Sequence, residues 1–563
     1  MRPLDWVVMF AWLTFIVSYG LYRGRGSSTT NKYMLAGRSM PWYAMGLSIM
    51  ATQASAVTFI STTGQSYVAG MGFVQFYFGL PLAMIILSAT AVPIFHRAKV
   101  YTAYEYLEMR FDAKTRALVS AIFLIERGLA AGVSLYAPSV ALSVIFGWPA
   151  RLTTLLIGLL IIAYTVTGGI KAITWADVQQ MMLILCALVL AFGIAVHLLP
   201  QGVSFVDAVR LAGAAGKLNV VNPHFDPNDQ YNLWSGLIGG MFLALAYFGC
   251  DQSQVQRYLT GKSIAHSRLS LLFTAVAKIP MQFFILFIGA IVFVFFNFVR
   301  PPLLFNPAAM QKLENSAKPG ERARTAALTS RFDAAFEKRK SAALDYLSAN
   351  RADDAARKQA SINRYRSAQS EMGAVHAEAE QLTEKDTNYV FLTFVTKYLP
   401  VGVVGLIIAV IFSAAMSSTS GEINSLATVT VIDIYRRHIK KDAPDHHYLL
   451  ASRVATAFWG LYAVGFAQFG GSFGALIEAV NKVGSFFYGG LLGVFVLAFF
   501  FKKVTANGAF YGVIAGEIAI FSVKLFTNTA FLWLNVIGPL VVVGVGVLVS
   551  RLERERSPQR VAW

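Results

Sequence analysis

Residues 50–58 read MATQASAVT and lie inside an apolar run that begins near residue 42. The run continues with STTGQS at residues 61–66, so hydroxyl and amide groups fall at the depth of the membrane interior. Polar residues there cost about 2.5 to 3.5 kcal/mol on insertion scales and usually mark a pathway. We therefore predict a helix that is broken near its middle, because freed carbonyl groups are tolerated in a bilayer only where they line a cavity or bind a cation.

A second interruption, AYFGCDQSQVQR at residues 246–257, lies five predicted helices further along the chain. Paired interruptions at matching positions of two inverted repeats are typical of transporters whose site lies at the membrane midplane. A third polar stretch, SAAMSSTSGE at residues 413–422, lies within the span that begins near residue 401. Ala414, Ser417 and Ser418 share one face of that helix because they stand at positions i, i+3 and i+4.

These polar groups predict a neutral cage of oxygen ligands. The hydroxyls of Ser417 and Ser418, together with carbonyls of the broken helix, suit a small monovalent cation, whereas calcium or magnesium would require carboxylates. Packing of serine and threonine against neighbouring helices is the alternative explanation.

The rest of the chain indicates an all-α polytopic membrane protein. Of 563 residues, 56% are hydrophobic and 14% are charged, against about a quarter charged in soluble domains, so a soluble enzyme is excluded. The net charge of +18 comes from short basic groups between apolar runs, which argues against a nucleic-acid partner and for contact with membrane lipid. Both cysteines, Cys186 and Cys250, lie in apolar runs and are expected to be buried thiols. With about 20 residues per crossing, we predict about 13 transmembrane helices, which begin near residues 4, 42, 72, 118, 151, 176, 231, 270, 401, 449, 477, 505 and 531.

Basic residues between the spans predict the orientation. With the N-terminus outside and the C-terminus cytoplasmic, the cytoplasmic loops and tail hold 23 Lys and Arg residues, against four in the short loops on the other side. This asymmetry follows the positive-inside rule and favours a multi-pass protein of the plasma (inner) membrane.

One segment departs from the membrane pattern. Residues 306–386 hold 14 Lys and Arg and 12 Asp and Glu residues, which predicts a soluble extracytoplasmic insertion. Phe332, Phe336, Leu344 and Leu347 stand at helical spacings, so we expect a helical hairpin. It is either a decoration without a role in transport, or a lid or docking site for an unknown partner.

Three motifs resemble the sodium:solute symporter family over nearly the whole chain outside the insertion. They are GGIKA at 168–172 with WADVQ at 175–179, DQ at 251–252 with VQRYL at 255–259, and SS at 417–418 with NSLAT at 424–428 and DIY at 433–435. TAYEYLEMRF at 102–111 and YAP at 136–138 are most similar to the branch that holds the iodide, monocarboxylate and vitamin symporters.

The resemblance implies a leucine-transporter-type core of five-plus-five inverted helices, with one extra helix before it and two after it. The chain then divides into residues 1–41 (the extra helix and a loop), 42–305 (the first repeat and the start of the second), 306–386 (the insertion), 387–503 (the rest of the second repeat) and 504–563 (two extra helices and a tail).

The resemblance also implies binding residues. The sodium site of the family maps onto Ala51, Ala54, Ala414, Ser417 and Ser418. A second sodium site would use Asp177 with Ser417 and Ser420, although Gly421 stands where such members offer a hydroxyl. The positions that hold the solute in sugar-binding members map onto Gln53, Tyr77, Asp251, Lys278 and Asn481, with Ser55 and Gln75 close by.

The solute class stays open at this point. Asp251 would repel an anionic solute unless Lys278 or a proton offsets its charge, and Lys278 is equally explained as a structural counter-ion to Asp251. The leading interpretation is a Na⁺-coupled symporter that imports a small polar organic solute or anion by alternating access, without enzymatic activity. The alternative is a membrane sensor or receptor-like transport domain.

Overall fold

The computed structural model describes residues 2–56, 58–316, 318–352, 354–383, 385–469 and 476–556, and the end of the predicted tail, residues 557–563, lies outside them. Within these ranges the chain is helical, and an isolated bridge between Met40 and Gly261 is its sole β pairing. The described residues contain nine helices that are long and apolar enough to cross a membrane, and a bent pair makes a tenth.

Three further features account for the remaining crossings in the described ranges. The helix Ala150–His197 forms two spans because Gly169, at a φ of 61°, interrupts it. The shorter apolar helices Ser235–Gly249 and Tyr488–Phe500 provide two more. The predicted count of about 13 spans agrees with this structure.

We number the spans 1 to 13 in chain order. They are Pro3–Gly24, Trp42–Gln53 with Thr58–Ala69, Met71–Ala98, Ala113–Phe146, 150–168, 170–197, Ser235–Gly249 with Gln252–Leu259, Ile264–Phe298, Val403–Ile439, Asp445–Ala467, Leu476–Ser485 with Tyr488–Phe500, Ala506–Phe526, and Phe531–Arg556. Short helices connect them at Thr30–Leu35, Ala103–Arg110, Phe205–Ala214 and Val390–Tyr398.

Span 2 is broken where the sequence predicts it. Its two halves are bent by 59°, and Ala54 leaves the helical conformation at a ψ of 51°. The carbonyl of Gln53 is freed by the break and accepts hydrogen bonds from the Thr58 hydroxyl at 2.9 Å and from Lys278 Nζ at 3.4 Å. Side chains thus satisfy a backbone group that the break leaves without a partner inside the helix.

Span 7 is broken in the corresponding place. Its first helix ends at Gly249, and the next helix begins after Asp251, whose carboxylate accepts a hydrogen bond from the Ser253 amide at 2.8 Å. A carboxylate at this position caps the exposed amides of the new helix. Spans 2 and 7 therefore open two successive sets of five helices.

The predicted insertion contains the helices Pro307–Glu314, Pro319–Arg351 and Ala355–Glu380. The two long helices form the expected hairpin, with ion pairs such as Arg331 to Glu378 (2.8 Å) and Lys338 to Glu371 (2.5 Å) between them. Phe332, Phe336 and Leu347 are buried as expected, but Leu344 is 48% exposed because it faces away from the packed side.

The hairpin is docked onto the transmembrane body. Arg339, which is 2% exposed, donates to the carbonyl of Phe296 at the end of span 8. Tyr365 donates to Asn297 at 2.9 Å, and Arg351 pairs with Asp207 of the short helix Phe205–Ala214 at 2.6 Å. The hairpin is therefore bound to the transmembrane body by side-chain contacts at several points, in addition to its two chain connections.

The chain then returns to the membrane through residues 387–389, which pack against the second half of span 2. A Cβ atom at Gly64 would lie 2.0 Å from the carbonyl oxygen of Thr387. Gly64 is therefore required for this close contact between span 2 and the segment that follows the insertion.

Cys186 differs from expectation. It is exposed on the outer surface of the helix bundle, where an apolar run faces lipid and not protein, whereas Cys250 is buried at the break of span 7.

Candidate functional site

A cavity of about 110 Å³ lies where the two broken spans meet spans 3, 4, 9 and 11. Four predicted solute residues, Gln53, Ser55, Tyr77 and Asn481, line it, and so does Ser418 of the predicted sodium site. The remaining walls are Thr52, Thr58, Phe76, Leu80, Arg127, Ser134, Gly240, Leu243, Ala244, Tyr247, Phe248, Glu422, Val480 and Tyr488.

Aromatic rings form much of the cavity wall. Phe76 and Tyr77 contact each other edge to face with centroids 4.8 Å apart, and Tyr247 contacts Phe248 in the same manner at 4.9 Å. Rings give a rigid, amphipathic surface, while the few polar groups between them fix the orientation of a ligand. The arrangement suits a small polar molecule with an apolar part.

Arg127 is the main buried cation at this cavity. It pairs with Glu422 at 3.1 Å, with Glu126 at 3.4 Å and with Asp251, and it donates to the Tyr488 hydroxyl at 2.5 Å. Tyr488 also donates to Asp251 at 3.1 Å. Three carboxylates thus share one guanidinium, an arrangement that is stable in a bilayer only if every partner is held in place.

Sequence reasoning missed Arg127 and Glu422 as cavity residues. Arg127 is a charged residue within a span, and Glu422 stands four residues after Ser418 on the same helix. The i, i+4 spacing was a usable signal for Glu422, because it places both side chains on one face. For Arg127, only the cost of a membrane-buried charge pointed to a role, without naming its partner.

The structure does not pair Asp251 with Lys278. Asp251 is bound by Arg127 and Tyr488, while Lys278 contacts the broken part of span 2. Its ammonium group is 3.4 Å from the carbonyl of Gln53 and 5.2 Å from the centroid of the Tyr77 ring. The counter-ion interpretation of Lys278 is therefore wrong for this structure, because Arg127 takes the place next to Asp251.

Gln75 lies away from the cavity. Its side chain accepts from the Asn222 amide at 2.8 Å and donates to the carbonyl of Tyr231 at 2.7 Å, so it ties span 3 to the segment before span 7. Its place among the solute residues is not supported by this geometry.

The predicted sodium residues come from spans 2 and 9, which pack against each other. Ala51 and Ala54 are buried on either side of the start of the break, and the Ser418 hydroxyl lies 3.0 Å from the carbonyl of Ala414. Ser417 instead donates its hydroxyl to Asp177 Oδ1 at 2.5 Å. Ser417 therefore links the sodium residues to the acid at which the resemblance places a second ion.

Asp177 is enclosed by partners. Besides Ser417, its carboxylate accepts from Ser48 at 2.5 Å and pairs with Arg257 Nη1 at 2.5 Å. Ser420 donates to the carbonyl of Ser417 at 3.2 Å and not to Asp177. Arg257 is a third residue that sequence reasoning missed, after Arg127 and Glu422, although it lies in the VQRYL motif.

The comparisons with known proteins agree with this fold. The chain matches the sodium:solute symporter family over residues 33–316 and 368–516 and belongs to that family. Sodium is the coupling ion of the family and of the relatives below.

Among its relatives, the sodium/glucose cotransporter of Vibrio parahaemolyticus is 27% identical and covers 91% of this chain and 83% of its own length. The sodium-dependent multivitamin transporter of Oryctolagus cuniculus is 27% identical over 92% of this chain and 70% of its own length. The sodium/sialic acid symporter of Proteus mirabilis is 27% identical over 98% of this chain and 95% of its own length.

A solved structure shows the same fold. The substrate-bound, outward-open form of a Na⁺-coupled sialic acid symporter superimposes with a TM-score of 0.75, at 24% identity, over 98% of both chains. The chain therefore has the leucine-transporter-type architecture. The matched family segments leave out residues 317–367, which form most of the hairpin.

Proposed function

We propose that this protein is a sodium-coupled secondary active symporter that imports a small polar organic solute or anion by alternating access. The observation that carries the proposal is the shared cavity: Gln53 and Ser55 at the break of span 2 and Ser418 on span 9 line one space. A solute and a sodium ion bound there would be neighbours. Binding of one would then favour binding of the other through the same broken helix.

The proposed sodium ligands are the carbonyls of Ala51, Ala54 and Ala414 and the hydroxyls of Ser417 and Ser418. The proposed solute residues are Gln53, Ser55, Tyr77 and Asn481 on the cavity wall, with Arg127 and Glu422 added from the structure. Asp251 affects the site because it pairs with Arg127, and Lys278 affects it because it donates a hydrogen bond to the carbonyl of Gln53.

The orientation is part of the proposal. With the N-terminus and the insertion outside and the basic loops in the cytoplasm of a plasma (inner) membrane, sodium enters down its gradient together with the solute. One charge that moves inward through 100 mV supplies about 2.3 kcal/mol, enough for roughly fifty-fold accumulation.

The test uses purified protein and four probes: glucose, sialic acid, lactate and biotin. We expect one of these classes to raise the thermal stability of the protein in sodium but not in potassium, and to be taken up by proteoliposomes in a sodium-dependent way. Gln53→Ala should remove this effect because Gln53 lines the cavity, whereas Gln75→Ala, a matched change outside the cavity, should keep it.

Uptake at equal rates in sodium and potassium would contradict the proposal. Loss of the response in Gln75→Ala with retention in Gln53→Ala would move the solute site away from this cavity.

A further inference from the structure

The guanidinium of Arg257 occupies a closed space among three spans. Arg257 is 1% exposed, and its Nη1 atom contacts Asp177 of span 6 and Ser48 of span 2. The same carboxylate is also bound by Ser417 of span 9. Asp177 therefore has one cation and two hydroxyl groups around it within the protein itself.

Gly421 makes this arrangement sterically feasible. A Cβ atom at Gly421 would lie 2.2 Å from Arg257 Nη2, so any larger residue would displace the guanidinium. Gly421 lies within the uninterrupted helix Val403–Val429 and is not among the glycines with positive φ, so its backbone does not require glycine. Glycine is unfavourable in a helix interior, which leaves the space taken by Arg257 as the physical reason for it.

A sodium ion next to the Arg257 guanidinium would be electrostatically unfavourable. A sodium ion bound to Asp177 and Ser420 would lie beside the guanidinium, and like charges a few ångströms apart repel strongly in a medium of low dielectric constant. The Arg257 side chain is buried in this conformation, so its guanidinium has almost no contact with solvent. The negative charge of Asp177 is already neutralised without an ion from solution.

We propose that Arg257 is the resident cation of Asp177, and that the protein therefore couples to a single sodium ion, at Ala51, Ala54, Ala414, Ser417 and Ser418. The inference rests on the proposed function and extends it to the ion stoichiometry. Gly421 and Arg257 act together: the first provides the space and the second fills it. Asp177 then positions Ser417 and is not a ligand of a transported ion.

The experiment counts sodium ions on the purified full-length protein by equilibrium binding of ²²Na⁺, with Tris as the replacing cation. The wild-type protein should bind one ion with a Hill coefficient of 1. The double variant Gly421→Ser with Arg257→Gln removes the internal cation and adds a hydroxyl in the space that the Arg257 guanidinium fills. It should bind two ions with a Hill coefficient above 1.

A second variant, in which both charges of the pair are removed, is the control for misfolding. Asp177→Asn with Arg257→Gln removes both charges of the pair, so it leaves no buried charge unpaired. It should elute as the wild-type protein does in gel filtration and still bind one sodium ion. A folded form that binds none would overturn the inference, because Asp177 would then belong to the sodium site.

Three other results of the sodium-binding experiment distinguish single-ion coupling from sodium-coupled transport itself. Two sodium ions on the wild-type protein would overturn the single-ion coupling and leave sodium-coupled transport intact. A single ion on the Gly421→Ser, Arg257→Gln variant would also overturn it, since Arg257 would then not be what excludes a second ion. Absence of sodium binding by the wild-type protein would overturn both proposals.

Discussion

Ser418 is the residue at which the cavity and the proposed sodium site meet. It lines the cavity, and its hydroxyl donates a hydrogen bond to the carbonyl of Ala414 at 3.0 Å, so the two oxygens that we propose as sodium ligands are neighbours on span 9. Asp251 and Arg127, in contrast, are bound to each other. A solute that approaches them meets a network of paired charges.

We expect Ser418→Ala to raise the sodium concentration for half-maximal ²²Na⁺ binding by about ten-fold or more, since a polar contact with a charged group contributes about 1.5 to 3 kcal/mol. Ser425→Ala is the matched control, because Ser425 lies on the same helix, is buried and donates to the carbonyl of Glu422. An equal affinity in the two variants would remove Ser418 from the sodium site.

For single residues, the sequence predicts the position on a helix better than it predicts the side chain with which the residue interacts. Gln53, Ser55, Tyr77 and Asn481, which the resemblance assigns to the solute, all line the cavity, because a motif fixes a position on a helix. Motifs do not fix pairing across helices, so the sequence leaves Lys278 open as a counter-ion of Asp251, whereas Arg127 is the partner of Asp251 in the structure. Rotation of neighbouring helices decides such pairs, and one sequence carries no direct record of that rotation.

Span 2 shows how an element depends on its surroundings. Its break was predictable from the density of hydroxyl and amide groups, because such a density is costly in a continuous membrane helix. Its contact with Thr387 was not predictable, since residues 64 and 387 are separated by the whole insertion. Gly64 is the residue on which this contact depends.

Gly64→Ala should destabilise the protein and slow transport. The added Cβ atom would lie 2.0 Å from the carbonyl oxygen of Thr387 and would push span 2 away from residues 387–389. Gly465→Ala is the control: Gly465 is also helical and has no atom within 4 Å of an added Cβ. We expect the melting temperature to fall by several degrees for Gly64→Ala and to hold or rise slightly for Gly465→Ala, as alanine favours helix. Equal melting temperatures would show that the contact is not tight in solution.

Across the whole molecule, the insertion is joined to the body near His376. Its Nδ1 atom lies 2.9 Å from the carbonyl of Leu303, and its Nε2 atom lies 3.4 Å from Asp386 and 3.8 Å from Glu380. Burial by itself lowers the pKa of His376, but the hydrogen bond and charge of Asp386, together with the charge of Glu380, raise that pKa to about 9.

The raised pKa of His376 makes the stability of the folded protein depend on pH. Because the folded pKa of about 9 lies above the usual value of 6.5, protonated His376 stabilises the folded state fully below pH 6.5 and loses this effect as the pH rises through 9. We expect the melting temperature to fall between pH 6.5 and 9.5 more steeply in the wild-type protein than in His376→Gln. His224→Gln, a change at an exposed histidine, should keep the wild-type slope. Parallel slopes for all three proteins would contradict this assignment.

The docked hairpin has a practical consequence for imaging. Most of this 61.5 kDa chain would be surrounded by detergent, which hides the features by which single particles are aligned in electron cryomicroscopy. The helix Pro319–Arg351 has 33 residues and is about 50 Å long, and the Arg339 and Tyr365 contacts fasten the hairpin to the body. It gives every particle an asymmetric fiducial, so orientations should be assignable without an antibody fragment.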